Sequence, residues 1–346
     1  MKAYFREHIL HFKQASGTSR GIMTTRRVWF LVLQDNGQFG IGECAPLEGL
    51  SLDDFKLIPD KLQWICDNIH LGLELLYQQM IDFPSIQMGL EMAFLSFSNE
   101  HPAFYFLSDF LFHDAAIKIN GLIWMGDKAF MHKQIETKLA QGFSCIKLKI
   151  GAINWRDELM LLKAIRSSYG SDQIELRVDA NGAFSSNTVM DKLEALDKLN
   201  IHSIEQPVSA EEHDLLARLC QTASIPIALD ESLIGIFNKH EKLELLKKIR
   251  PKYIILKPSL VGGFTNADEW IEAARVLNIG WWITSALESN IGLNAIAQWT
   301  FTKSNVLPQG LGTGDLFVNN IEAPLMVKQG HLYYNKTLNW NFNQLI

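Results

Sequence analysis

From about residue 115 onward the chain alternates short β-branched apolar runs with stretches of helical periodicity. Eight runs stand out: Ala116–Asn120, Cys145–Ile150, Glu175–Asp179, Ser203–Glu205, Ile227–Asp230, Tyr253–Lys257, Gly280–Ser285 and Val306–Gly310. Their polar or glycine ends recur every 25 to 30 residues, counted from Asn120 through Lys149, Asp179, Glu205, Asp230, Lys257 and Ser285 to Gly310. That interval is one strand–helix unit. Trp155–Tyr169, Thr188–Leu199, Ala210–Thr222, Glu241–Lys248 and Asn266–Leu277 lie between runs and carry leucines and alanines at helical spacing, with charges opposite. Strands joined by crossover helices lie parallel. Eight of them with one period fit an α/β fold closed as a (β/α)8 barrel, which has no edge strands and takes about 200–250 residues. An open doubly wound sheet is the alternative.

The leading part follows another pattern. Tyr4–Phe12, Thr25–Leu33 and Gln38–Glu43 read as strands around Gln34-Asp35-Asn36-Gly37, whose Asn-Gly pair marks a tight hairpin. Helical stretches follow at about Leu52–Ile69 and Ile86–Glu100, the second entered through Pro84-Ser85, with Ser85 placed to cap its first turn. The expected division is an α+β capping domain over 1–114, the barrel over 115–318, and a segment over 319–346 that packs back on the capping domain through short strands such as Gly330–Tyr334.

With 346 residues, 47% hydrophobic and 20% charged, the chain has the composition of a globular protein with ample core. Its net charge of −6 gives no overall field for nucleic acid or anionic membrane. No apolar run approaches the roughly 20 residues of a membrane span, and the amino terminus, Met1-Lys2-Ala3-Tyr4-Phe5-Arg6, is charged where a signal peptide is apolar. Cys44, Cys66, Cys145 and Cys220 are scattered without a Cys-x-x-Cys pair, which points away from structural zinc and toward a reducing cytoplasm.

Charges inside apolar strands are costly unless they pair, bind metal or face a polar cavity. Lys147 and Lys149 are two apart on one strand and share a face; Asp179, Glu205 and Asp230 end the next three runs; Lys257 ends the sixth. In a barrel these ends converge at the carboxyl-terminal mouth. Three carboxylates there make an oxygen-rich site suited to a hard cation such as Mg²⁺, with Mn²⁺ the alternative. The adjacent lysines disfavour each other's protonation, so one is expected to be neutral and available as a base. Lys257 faces them across the axis. The arrangement suits proton abstraction beside the carboxylate of a small-molecule substrate.

The motifs Lys147-x-Lys149, Asp179-x-Asn181, Glu205-Gln206-Pro207, Asp230-Glu231-Ser232 and Lys257-Pro258 resemble those of the enolase superfamily, in the branch of muconate cycloisomerase and dipeptide epimerases. The likeness extends to Gly40-Ile41-Gly42-Glu43-Cys44-Ala45-Pro46 and Leu90-Glu91-Met92-Ala93. Ile119–Trp124 and Ser285-Ala286-Leu287-Glu288-Ser289 are similar to the o-succinylbenzoate synthase family. The resemblance implies Asp179, Glu205 and Asp230 as Mg²⁺ ligands and Lys149 as the base. It also implies dehydration of 2-succinyl-6-hydroxy-2,4-cyclohexadiene-1-carboxylate to o-succinylbenzoate, a carbon–oxygen lyase step of menaquinone synthesis. Lys257 would stabilise the enediolate and Lys147 would orient the carboxylate or depress the pKa of Lys149. Arg177 and Asn181 would support these groups from behind.

For the succinyl arm, Ser285 and the turn Gly310-Leu311-Gly312-Thr313-Gly314 offer hydroxyls and backbone N–H groups, chiefly at Gly312 and Thr313. Ser16–Gly21 is expected to act as a lid. A dipeptide epimerase or N-acylamino acid racemase of the same superfamily is the competing activity, although the Leu311–Asp315 stretch holds one aspartate where dipeptide epimerases carry Asp-x-Asp. A Schiff-base aldolase and a non-catalytic metal-binding barrel are more distant alternatives.

Overall fold

Strand β1 (Lys2–Thr18), β2 (Gly21–Asp35) and β3 (Gln38–Cys44) form an antiparallel meander in that order. The computed structural model describes residues 1–346 apart from Ser19, Arg20, Met125 and Gly126, and leaves the side chains of Ser16–Thr18 and Lys128 undescribed. The expected lid at Ser16–Gly21 therefore lies largely outside the described residues. At the β2–β3 turn, Asn36 and Gly37 take positive φ of 47° and 83°, and Asp35 pairs with Gln38, as a two-residue hairpin requires.

Helices α1 (Ile58–Asp67), α2 (Gly72–Gln79), α3 (Pro84–Ser98) and α4 (Asp109–Phe112) follow. The first expected helix starts later than Leu52, at Ile58, where Pro59 fits the first turn. Ser85 does not cap α3: Phe83 takes the cap position, and the Ser85 hydroxyl donates to Asp53 Oδ1 at 2.6 Å. Helix α3 packs directly on β3, so close that a Cβ on Gly42 would stand 1.8 Å from the Gly89 carbonyl oxygen. Trp29, Leu31 and Leu33 of β2 pack with Ile58, Leu62, Ile86 and Leu90 in a core of their own.

The chain then runs through β4 (Ala116–Lys118), β5 (Gly121–Ile123), α5 (Lys128–Ala140), β6 (Cys145–Lys149), α6 (Trp155–Ser168), β7 (Glu175–Asp179), α7 (Val189–Asp197), β8 (Ser203–Glu205), α8 (His213–Thr222), β9 (Ile227–Leu229), α9 (Lys239–Ile249), β10 (Tyr253–Leu256), α10 (Pro258–Val261), α11 (Gly263–Val276), β11 (Gly280–Ile283) and α12 (Asn290–Phe301). Strands β5 to β11 pair in parallel in sequence order. Parallel bridges Thr284↔Gly310 and Ile119↔Gln309 join the two sides, with Asn120 N–H donating to the Gln309 carbonyl at 2.9 Å and Ser285 N–H to the Gly310 carbonyl at 3.0 Å. The α/β barrel is thus closed through residues 309–310.

Two expected strands are corrected. The first barrel strand is Gly121–Ile123, entered through Ile119, because Ala116–Lys118 turns aside to pair with the tail. The eighth run shrinks to bridges at Gln309 and Gly310. The tail hairpin, β12 (Leu325–Lys328) and β13 (His331–Tyr334), pairs with β4 through Leu332↔Ile117. Beyond it, Tyr4 Oη donates to the Leu345 carbonyl at 3.2 Å, and the Tyr334 ring stands edge-on to Phe104 and Phe110. Among the described residues no helix is long and apolar enough to cross a membrane.

Candidate active site

Register places the charged side chains. Lys149 pairs with Asp179 across β6–β7, and Asp179 with Glu205 across β7–β8. Asp230 follows β9, and Lys257 caps α10, where Pro258 forces the turn out of β10. All are buried or nearly so, at the carboxyl ends of the strands. Above them opens a cavity of about 830 Å³ lined in part by Lys147, Lys149, Asp179, Asn181 and Lys257.

Lys147 Nζ bridges Asp179 Oδ2 at 2.9 Å and Glu205 Oε2 at 2.6 Å. Lys149 Nζ donates to Asp179 Oδ2 at 3.2 Å and to Asn181 Oδ1 at 2.7 Å. Lys257 Nζ contacts Asp230 Oδ2 and lies 3.9 Å from Glu205 Oε1. The sequence-based expectation that mutual repulsion neutralises one of the paired lysines fails for Lys147. Burial alone would lower its pKa, but Asp179, Glu205 and Asp230 outweigh burial and hold it above the usual lysine range. Lys257 is raised in the same way by Asp230 and Glu205. Asp179 is the converse: burial opposes ionisation, yet the three lysines hold its carboxyl well below the carboxylate range. Glu205 is pushed up to about 7 by burial and by Asp179.

Among the described residues no three acidic, histidine or cysteine side chains are already spaced as a metal cluster. Ammonium groups stand between the carboxylates. The donor set nonetheless suits a hard divalent cation. It consists of carboxylates from three neighbouring strand ends, and Glu205 Oε1, buried, accepts no hydrogen bond, its nearest ammonium being Lys257 Nζ at 3.9 Å.

The family model described as Enolase C-terminal domain-like matches residues 131–337. An o-succinylbenzoate synthase from Desulfotalea psychrophila (strain LSv54 / DSM 12343) is 42% identical over 96% of this chain and 98% of its own length. The chain belongs to the enolase superfamily and to its o-succinylbenzoate synthase family. The crystal structure of MenC from Desulfotalea psychrophila LSv54 superposes with a TM-score of 0.85 at 40% identity, covering 96% of this chain and 99% of that one. A dipeptide epimerase from Enterococcus faecalis V583, crystallised with Mg and L-Leu-L-Tyr, superposes with a TM-score of 0.83 over 96% of each chain at 19% identity, a likeness of fold.

For a member of this family, the remaining expected residues fall in two places. Ser285, Gly312 and Thr313 line the cavity, and Ser285 Oγ and Thr313 Oγ1 share a hydrogen bond of 2.6 Å. Gly310 spends its N–H on the Ile283 carbonyl, which removes it as an anion donor. Asn181, at φ 43°, receives the Lys149 bond and donates to Glu231 Oε1 at 2.9 Å. Arg177 lies below this layer. Its Nε donates to Glu175 Oε1 at 2.7 Å, its Nη1 to the Pro308 carbonyl at 2.9 Å, and its guanidinium lies 4.0 Å from the Trp282 ring centre.

Sequence reasoning missed the residues that fasten the cap to the barrel. Glu43 of β3 accepts from Ser289 N–H at 2.8 Å, Ser289 Oγ at 2.5 Å and Gly292 N–H at 2.7 Å, at the start of α12. Glu91 of α3 accepts from Phe264 and Thr265 at the start of α11. Helix amino termini favour such anions. Arg26 of β2 lines the cavity and ties Ala45 and Pro46 to the Ala286 carbonyl, the last at 3.1 Å. The signal was present in Gly40–Pro46 and Leu90–Ala93, but nothing local says which distant amides those carboxylates meet.

Proposed function

We propose that the chain dehydrates 2-succinyl-6-hydroxy-2,4-cyclohexadiene-1-carboxylate to o-succinylbenzoate, as a carbon–oxygen lyase of menaquinone synthesis. The observation that carries the reading is the near full-length likeness to an o-succinylbenzoate synthase. The cavity, lined by Lys147, Lys149 and Lys257, supports it. In this reading Asp179, Glu205 and Asp230 hold Mg²⁺ or Mn²⁺, and Lys149 is the base. A divalent ion there supplies positive charge against substrate oxygen as the neighbouring C–H bond breaks.

The chain's own groups divide the remaining work. Lys149 takes the proton beside the ring carboxylate. The C–O bond to the hydroxyl then breaks, the departing oxygen regains that proton from Lys149 and leaves as water, and the ring becomes aromatic. Lys147, held charged by its carboxylates, orients the substrate carboxylate. Lys257, likewise charged, stabilises the negative charge that develops. Asn181 fixes Lys149, and Ser285, Thr313 and Gly312 contact the arm. Arg177 supports the wall beneath. The reading includes the domain division at 114/115 and 318/319, and a cytoplasmic location, in keeping with four free cysteines.

Purified protein given the cyclohexadiene substrate and Mg²⁺ is expected to convert it to o-succinylbenzoate, followed by ultraviolet absorbance, with turnover lost in chelator. No turnover with metal present overturns the reading. One observation favours a second activity. Lys149 and Lys257 both line the cavity, from β6 and the end of β10, as a racemase or epimerase of N-acylamino acids or dipeptides requires. Solvent deuterium appearing at the α-carbon of such substrates is its test.

A further inference from the structure

Arg26 is an anomaly in β2. Its neighbours Thr25 and Arg27 are exposed, yet Arg26 is buried and spends both terminal nitrogens on backbone carbonyls. Nη1 donates to the Pro46 carbonyl, and Nη2 to those of Ala45 at 2.7 Å and Ala286 at 3.1 Å. One guanidinium thus joins the cap loop after β3 to the barrel loop after β11. Pro46, Leu47 and Leu50 of the first loop and Ala286 and Leu287 of the second line the cavity, and Ala286 shares an apolar cluster with Leu47 and Leu260.

The barrel loop is held on both sides of one residue. Before Leu287, Ala286 is bonded at its carbonyl by Arg26 and at its N–H by Glu288 Oε2, at 2.7 Å. After it, Glu288 Oε1 accepts from Ser259 Oγ at 2.5 Å, and Ser289 N–H donates to Glu43 of the cap at 2.8 Å. Leu287 itself stands at φ 65°, in the left-handed region that a leucine leaves when nothing holds it. The Ala286 carbonyl belongs to the peptide plane that sets this φ, so the Arg26 bond bears directly on it. Strain of this kind persists only where the surroundings over-determine it, and it gathers at ligand sites.

We propose that Arg26 is a positioning residue: by holding the Ala286 carbonyl it keeps Leu287 in its left-handed conformation, so that the leucine side chain forms a preset apolar wall against the carbon skeleton of the substrate. The identity of that substrate rests on the o-succinylbenzoate synthase reading. Arg26 acts through Leu287 and not on the reacting atoms, since Lys149 bonds Asp179 and Asn181, groups that Arg26 does not hold. Its loss therefore weakens substrate binding and spares the proton transfer.

The test is steady-state kinetics of the Mg²⁺-loaded protein with the cyclohexadiene substrate, in wild type, Arg26→Met, Leu287→Ala and the double variant. Arg26→Met is expected to raise KM roughly tenfold with kcat per folded molecule within about threefold, the pattern of lost binding common to ground and transition states. Arg26→Lys, which keeps the charge but not the planar fork, should fall between. In the Leu287→Ala background, where no wall is left to aim, adding Arg26→Met should change KM by less than about threefold. An unchanged KM in Arg26→Met, the result if the clamp serves folding alone, overturns the proposal and leaves the lyase reading standing. So does a rise in KM that persists in full beside Leu287→Ala. If Arg26→Met does not fold, Arg26→Lys carries the same comparison, and a wild-type KM in it overturns the proposal. A wild type without turnover overturns both.

Discussion

Strand β7 carries two buried charges, two residues apart on the same face, with opposite fates. Asp179, fully buried, looks up into the cavity and shares Lys147 and Lys149. Arg177, 1% exposed, looks down into a floor of Glu175, the Pro308 carbonyl and the Trp282 ring. The floor goes further: Cys145 Sγ donates to Glu175, and His202 stacks on Tyr253. Arg177, Glu175 and Cys145 pair with one another below, whereas the lysines of the mouth line the cavity. Burial of charge inside a barrel is thus not what marks a site; burial beside a cavity is.

Breaking the comparison at the mouth gives the largest effect. Lys149→Ala should lower turnover roughly a hundred- to ten-thousand-fold, the usual loss for a removed general base, with the fold intact by circular dichroism. Undiminished turnover would remove Lys149 from the chemistry.

The cap's clasps come next. Burial raises Glu43 to about 7 despite its bonds from Ser289 and Gly292, so the fold prefers its acid form. The stability it contributes is present in full below about pH 4.5 and is lost as pH rises through about 7. Urea unfolding should show wild type losing up to about 3 kcal/mol relative to Glu43→Gln between pH 4.5 and 8, beyond any constant offset from the altered bonds. A difference that stays flat across that window would mean Glu43 is ionised throughout.

The floor should respond most modestly. Arg177→Met should cost about 1.5–3 kcal/mol in unfolding free energy, the scale of a hydrogen bond to a charged group, while turnover per folded molecule stays unchanged. A large fall in turnover with stability unaltered would erase the distinction between the two layers.

The barrel was legible because short buried parallel strands punctuated by polar ends leave a regular interval, clear even in the three-residue β8. Its seam was not. Residues 116–118 look like a first strand, and only the distant tail decides that they pair elsewhere. Helix α12 escaped notice because nearly all its positions are buried, which leaves no polar face to set the period. The candidate carboxylates and lysines could be picked out because each is an anomaly in an apolar strand. Their electrostatics could not. The sequence sets Lys147 beside Lys149, but the carboxylates that keep Lys147 charged arrive from strands tens of residues away. The same distance hid Glu43, Glu91 and Arg26, whose partners are mostly the backbone amides of helix ends and carbonyls far along the chain.

The central claim is that the acids at the mouth can exchange the ammonium groups now between them for a divalent ion. Titration of Mn²⁺ followed by electron paramagnetic resonance tests it most directly. The account predicts one tightly held ion per chain in wild type, displaced by Mg²⁺, with affinity falling at least about tenfold in Glu205→Gln, whose buried oxygens then lose their charge. Binding of equal strength in the variant, or none in wild type, would contradict it.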